Sequence, residues 1–528
     1  MHDTDAISTT FNLYKKILSL SLILNDVLIL VGIRVTYSGL ISFGINLISV
    51  ITGLVFVLIV TRNLSAEEFG TWGLINGIII YATVINPIVS YWLTREIARD
   101  ERTAKTAIFA SSIFTIPAVF IYLLVGYFTG TQSDADLNII LFAVILVPLI
   151  IFNETLTAIN LGKKPHATSY GQLIFELTKI PAALLFIYFL KFGVDGAILA
   201  SCLAYLASIS TQVFYAKDQI RSHFKKEYLL KWIRLFWLPT YRSLPALLHL
   251  SDVVIFSIIT GSVVGVAYYS AARSIGMLVN NVRAFSKGLY PKLLETQKQE
   301  FLQENLIKLF YFAFPLTAFS ITFAKPGLFA LNPIYLGAAP FVIFISIRMF
   351  LNTLNRMLFE SIIGMEIIDK NPRSTFRDYL KSKLFWYPTF DLIRHGVYIG
   401  ILAFLLFILS TKTDSTLELV QYWVIIYLVV EIPLTFYTIH LVKKSFTLKI
   451  DKKSILKYLL ASIGVFGLTG IAMEENLEYK NSIFEFFPSL LMFGIIGIVG
   501  YLCTTYLIDR RTKLLFKAIW NELIIKEK

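Results

Sequence analysis

The side chains in this sequence that offer chemistry are mostly ones that apolar surroundings penalise. Asp252, Arg273, Arg348, Asn352 and Arg356 fall inside long runs of apolar residues, and Arg34 and Arg95 flank such runs. A charge at such a position is costly, so by default it marks a paired or a functional group. Arg348, Asn352, Arg356 and Glu360 recur every fourth residue, which places all four along one helical stripe. A guanidinium keeps its charge and presents a planar fork that matches the oxygens of a phosphate or carboxylate. The chemistry on offer is therefore recognition of an anion. Asp252 and Arg273 lie at similar depth in adjacent runs, about 12 Å from the turn that joins them at 1.5 Å per residue. They read either as an ion pair that fixes the register of a hairpin or as an arginine held ready for an anion and partly neutralised between cycles. Arg348 is deep, whereas Arg356 and Glu360 are near enough to a helix end to reach solvent. Glu176 and Lys179, three residues apart, read as a local ion pair rather than a proton relay.

Catalysis finds little support. Asp134-Ala-Asp136 is a D-x-D, the arrangement a glycosyltransferase or glycan polymerase would use, but a loop of about seven residues cannot build a nucleotide or metal site around it. The six histidines show no ligand spacing. Cys202 and Cys503 lie far apart inside apolar runs and suggest inert packing rather than a disulfide. We expect no catalytic residue, no metal and no cofactor. Neither an ATP-binding P-loop nor a distinct ion site is readable, which leaves membrane potential or ion exchange as the expected energy source.

The elements that must position these side chains follow from composition. A chain of 528 residues that is 56% hydrophobic and 16% charged, with mean hydropathy +0.69, cannot leave its surface in water and must be solvated by lipid. Runs of about 20 apolar residues, each long enough to cross about 30 Å of hydrocarbon, predict an all-α polytopic membrane protein with about 14 transmembrane helices. They fall at about 37–60, 72–93, 107–129, 137–158, 171–190, 195–216, 243–260, 264–282, 305–324, 338–364, 389–410, 418–441, 455–473 and 487–508. With the N-terminus in the cytoplasm, basic connections such as "KDQIRSHFKKEYLLKWIRLFW" and "KKSFTLKIDKK" all fall on one side, and "TQSDADLN" and "EENLEYK" on the other. The net charge of +13 is thereby explained by topology and not by nucleic acid, and both termini are expected in the cytoplasm. The run 17–33 is interrupted by Asn25 and Asp26 and reads as an interfacial helix, the alternative being a fifteenth span with the N-terminus outside.

The expected organisation is a cytoplasmic or interfacial segment (1–36), a first six-helix lobe (37–216), a basic aromatic linker (217–242), a second lobe (243–441), two further helices (442–508) and a basic tail (509–528). The linker mixes lysine and arginine with Trp232, Phe236 and Trp237 and suits an anionic membrane surface. "FGTWGLINGIII" after the first span answers "VGVAYYSAARSIG" after the seventh, a faint parallel repeat.

Ser65 and Glu68 form an S-x-x-E capping box at the start of the second span, and Gly70 and Gly73 allow close approach of a neighbouring helix. Asn46, Asn76 and Asn86 give the first two spans polar handles for interhelical hydrogen bonds. Around the capping box, "IVTRNLSAEEFGTWGL" (59–74) resembles the end of the first span in polysaccharide-biosynthesis flippases, the O-antigen and lipid-linked-oligosaccharide branch of the multidrug/oligosaccharidyl-lipid/polysaccharide exporter superfamily. "SDVVIFSIITGSVVGVAYYSAARSIG" (251–276) resembles that family's seventh-to-eighth hairpin, "GLYPKLLE" (288–295) the loop after it, and "NPIYLGAAPFVIFISIRMF" (332–350) the approach to its tenth helix. The likeness covers about residues 37–365, in order; the last helices diverge.

The resemblance implies a MATE-like bundle of two six-helix lobes plus two C-terminal helices. It would carry a polyprenyl-phosphate- or pyrophosphate-linked oligosaccharide from the cytoplasmic to the outer leaflet by alternating access. The same architecture suits a small-molecule or drug exporter. In such a fold the substrate-contacting candidates are Arg273, Asp252, Arg348, Arg356 and Asn352, with Arg34 and Arg95 at the cytoplasmic mouth. The implied partners are the lipid-linked glycan, membrane lipids and the glycosyltransferases or polymerase of the same pathway, in a cytoplasmic membrane.

Overall fold

The structure, a computed structural model, describes residues 37–98, 101–282, 300–364, 376–446, 451–514 and 516–517. Arg34 and the run 17–33 lie outside the described residues. Among the described residues there is no strand; eleven helices are long and apolar enough to cross a membrane, and a bent pair makes a twelfth. The chain is a polytopic all-α membrane protein.

The first set of helices comprises α1 (Tyr37–Asn63), α2 (Ala66–Thr83), α3 (Pro87–Ala98), α4 (Ala104–Thr131), α5 (Leu137–Lys163), α6 (Pro165–Ala183, extended by a π-helical turn over Leu184–Phe189) and α7 (Gly193–Ile220). The short α8 (Lys226–Arg234) follows. A second set runs through α9 (Trp237–Leu250), α10 (Asp252–Thr260), α11 (Val264–Gly276), α12 (Glu300–Thr322), α13 (Ala324–Leu331), α14 (Ala339–Gly364), α15 (Phe376–Lys381), α16 (Lys383–Ser410) and α17 (Thr416–Ser445). The closing pair is α18 (Lys452–Asn476) and α19 (Ile483–Ile508), which pack on each other, with α18 against α12. The expected first span is α1, and the expected eighth is the short α11 continued by a 3-10 turn over Met277–Val282.

Local sequence explains the breaks. Ser65 accepts the amide of Glu68 at 3.1 Å while the Glu68 carboxylate accepts the amide of Ser65 at 2.8 Å, so the predicted capping box starts α2. The span expected at 72–93 is not straight: α2 and α3 meet at 63°. Pro87 is the cause, because it carries no amide hydrogen and disfavours the α conformation of the residue before it. Gly261 ends α10 with φ +68°, a left-handed cap that turns the chain into α11.

The two sets meet along α2, which packs on α10 and α11, while α3 meets α9 and α1 meets α13. A single apolar core runs across this seam and includes Leu74, Ile78, Val263, Val266 and Tyr269. Gly70 is there because nothing larger fits: a Cβ would stand 2.0 Å from the Val263 carbonyl oxygen.

The linker departs from a purely lipid-facing segment. Trp232 of α8 is fully buried and donates its indole N–H to Glu96 at 3.1 Å, and Lys231 bonds the same carboxylate at 2.9 Å. Leu230, Ile233 and Phe236 remain exposed. Nearby, hydrogen bonds from Tyr228 and Lys225 hold the Glu101 carboxyl below its usual range, so this docked helix carries its own counter-charges.

Candidate functional site

Asp252 stands where α9 breaks into α10 and is 1% exposed. Its carboxylate accepts the Tyr398 hydroxyl of α16 at 3.0 Å and its neighbour's amide, from Val253, at 2.9 Å. Tyr398 in turn accepts the Trp423 indole N–H of α17 at 2.9 Å. Rings fill the surroundings: Trp423 stacks on Tyr269 at 3.9 Å, and Tyr398 on Tyr427 at 3.9 Å. The acid is thus held by a chain of aromatic donors.

Two guanidinium groups act on Asp252, and neither closes an ion pair with it within 4.0 Å among the described residues. Arg348 of α14 is 3% exposed and lies over the Tyr427 ring, with 3.7 Å from its central carbon to the ring centroid. It also makes a weak contact to the Met349 sulfur at 3.7 Å and a side-chain hydrogen bond to Tyr269. Arg273 of α11 lies 6.0 Å from the Tyr269 ring centroid. The Nε atoms of both arginines are buried without a hydrogen-bond partner. Two cations and one carboxylate leave this centre with a net positive charge and unused donors, the composition an anion would complete.

A second buried network, which the sequence reading missed, adjoins it. Arg394 of α16 bonds Asp391 at 2.8 Å and Glu431 of α17 at 3.1 Å. Glu431 also accepts the Asn355 amide at 2.6 Å, and Asn355 donates to Thr435 at 2.8 Å. His395 bonds Arg394 at 2.9 Å, and its ring centroid is 5.1 Å from that of His249, which bonds the Tyr427 hydroxyl. Tyr427 therefore joins the two networks, carrying Arg348 on its face and His249 on its edge. The signal for this cluster was available, since Arg394 and Glu431 are charges inside predicted spans.

Other predicted positions disperse. The 348–352–356–360 stripe does not stay on one side: four residues turn the helix by about 400°, so each step drifts by about 40°. Arg348 is buried, Asn352 is half-buried, and Arg356 is 57% exposed and bonds Glu360 at 3.8 Å. Arg95 is exposed at the end of α3, 4.8 Å from the Tyr91 ring centroid. Glu176 and Lys179 make no ion pair within 4.0 Å; Glu176 accepts from Gln172 at 2.9 Å and Thr52 at 3.1 Å, while Lys179 lies over Phe56 at 4.0 Å. Asn86 hydrogen-bonds Glu154 between helices, whereas Asn76 bonds its own helix at Trp72, 2.7 Å away. Among the described residues, no group of three or more His, Cys, Asp or Glu side chains is placed to hold a metal ion.

No family model matches this chain, and no curated protein matches it by sequence. Solved structures do match in fold. A "Lipid II flippase MurJ, inward closed conformation" superposes with a TM-score of 0.63 at 14% identity, over 89% of this chain and 98% of that one. The inward-facing form of a multidrug resistance MATE family transporter of the MOP superfamily gives 0.58 at 16% identity, over 78% and 100%. An outward-facing form of such a transporter gives 0.51 at 17% identity, over 78% and 95%. At these identities the likeness is one of fold, and it is to transporters and flippases rather than to enzymes.

Proposed function

We propose that this chain is a flippase that moves a lipid-linked oligosaccharide or polysaccharide repeat unit from the cytoplasmic to the outer leaflet, with a polyprenyl phosphate or pyrophosphate as the anionic handle. The observation that carries this reading is the buried Arg348 and the half-buried Arg273, each with an unpartnered Nε, beside the single carboxylate of Asp252. The phosphate would take the free N–H groups while the glycan occupies the space between the two helix sets and the polyprenyl tail stays in lipid. The sets 37–220 and 237–445 would act as lobes that rock about the seam at α2. The basic end of the bundle faces the cytoplasm on this reading, with both termini there, in a cytoplasmic membrane. Binding must be tighter in the closed intermediate than in either open state, because a ligand shifts an equilibrium only by its differential affinity.

The lipid carrier would be supplied and its product consumed by glycosyltransferases or a polymerase of the same pathway. No catalytic step, metal, cofactor or nucleic acid enters this account. A second reading, a MATE-type exporter of a small molecule, is supported by the likeness to multidrug transporters; the arginine-rich centre favours an anionic cargo over the cations such exporters would meet with acids. Depletion separates the two. Loss of the chain should make lipid-linked glycan accumulate in the cytoplasmic leaflet, and normal outward delivery would refute a required flippase role.

A further inference from the structure

The D-x-D of the loop between α4 and α5 has two aspartates with different jobs. Asp136 caps its own helix, accepting the amide of Asn138 at 2.8 Å. Asp134 instead reaches across the seam to the second helix set. Its carboxylate accepts the amide of Val263 at 2.7 Å, and its own amide donates to the carbonyl of Gly261 at 2.9 Å. The residues bridged are 129 apart in sequence. Val263 is fully buried, and its carbonyl lies against Gly70, so the peptide that turns α10 into α11 is gripped from one side by Asp134 and from the other by α2. A second tie stands at the same end of the bundle. Arg62 of α1 donates to the carbonyls of Ala330 at 2.9 Å, Phe329 at 3.0 Å and Asn481 at 3.0 Å, while Asn332 donates to the Thr61 carbonyl at 2.7 Å.

We propose that Asp134 is the clasp of the gate at this acidic end: its carboxylate and amide hold the α10–α11 hairpin against the first helix set, and the gate opens only when both bonds break. The proposal rests on the alternating-access reading above in calling the movement a gate, but its test reads movement alone. Both bonds run to backbone groups of a left-handed turn, at Gly261 with φ +68°. The contact is therefore specific to the hairpin's shape and does not require a partner side chain. Nothing in the bonding of Asp136 crosses the seam, which makes it the matched control.

The experiment places a cysteine at the half-buried Ser270 of α11, whose hydroxyl faces the seam, 3.0 Å from where a Gly73 Cβ would stand. Cys202 and Cys503 are replaced by alanine and serine, and the full chain is reconstituted in liposomes with the acidic end outward. The rate of labelling by an impermeant maleimide reports opening. Asp134→Ala should raise that rate about fivefold, Asp134→Asn less, because its amide oxygen still accepts, and Asp136→Ala not at all. Should Asp134→Ala fail to fold, Ser133→Cys with Ser262→Cys supplies the converse: oxidation must suppress labelling at position 270 and reductant must restore it. Equal rates in the parent and Asp134→Ala, an equal rise in Asp136→Ala, or a disulfide that leaves labelling unchanged would overturn the clasp. A chain that opens on schedule yet moves no lipid-linked glycan would refute the flippase and leave the clasp standing.

Discussion

Arg348 stacks on Tyr427 at 3.7 Å and leaves its Nε without a partner, although it is 3% exposed. A buried guanidinium met by a ring face, with its Nε–H unpartnered, has a donor to spare, and cation–π attraction replaces only part of its lost hydration. If that donor meets a phosphate, substitution has graded effects. Arg348→Lys keeps the charge and loses the fork, and should slow flipping by about tenfold; Arg348→Ala loses both and should slow it by about a hundredfold, from charged hydrogen bonds of about 1.5–3 kcal/mol. Initial rates in reconstituted vesicles at matched protein content check the order.

The Arg394–Glu431 pair predicts stability rather than transport. Removing the shared cation, as in Arg394→Met, leaves both Asp391 and Glu431 without their partner and should cost about 3–5 kcal/mol, whereas Glu431→Ala leaves Arg394 paired with Asp391 and Asn355 bonded to Thr435 and should cost less. The paired change Arg394→Met with Glu431→Leu removes the more buried of the two stranded acids and should recover part of the Arg394→Met loss. Thermal unfolding in detergent distinguishes them, and a double variant as weak as Arg394→Met alone would contradict the pairing.

At the seam, Gly70→Ala drives a methyl group into the Val263 carbonyl and should destabilise the chain by about 1–3 kcal/mol. Gly464→Ala, with nothing within 4 Å of its would-be Cβ, should leave the unfolding midpoint unchanged or raise it slightly.

Much of this architecture could be read from the sequence because it rests on local rules. The Ser65–Glu68 box needs only neighbours three apart, and the apolar runs need only length. Gly70 and Gly73 were readable as close-approach sites for the same reason, although the helix they face was not. The partner of Asp252 was not legible: the sequence put Arg273 opposite it by depth alone, whereas the hydroxyl that bonds it belongs to Tyr398, 146 residues away. Depth along a helix is set by counting, but azimuth is set by packing, and Arg356 turned outward for that reason. The bend at Asn86-Pro87 was a missed local signal, since a proline inside an apolar run marks a break before it.

The ends of α18 and α19 carry a pH dependence with a definite sign. Burial disfavours the charge on Asp451, but hydrogen bonds from Ser454 and the Arg511 guanidinium at 3.3 Å outweigh it and hold the carboxyl below the usual range. Asp509 behaves alike, against burial, through Tyr458 at 2.8 Å and Ser454 at 3.0 Å. A lowered folded-state pKa contributes stability above the unfolded value near 4 and loses it as pH falls further. The unfolding midpoint should therefore be flat in this respect from neutral pH down to about 5 and fall below about 4, with a shallower fall in the Asp451→Asn, Asp509→Asn double variant.

The central claim is that Arg273 and Arg348 receive the anionic handle of a lipid-linked glycan. It is tested most directly by vesicles containing the purified chain and a fluorescent polyprenyl-pyrophosphate oligosaccharide, in which an impermeant quencher reports the leaflet. The account predicts protein-dependent movement between leaflets, inhibited by soluble pyrophosphate and abolished in the Arg273→Ala, Arg348→Ala double variant. Movement at the parental rate in that variant, or a parent chain that leaves the glycan in place, would contradict it.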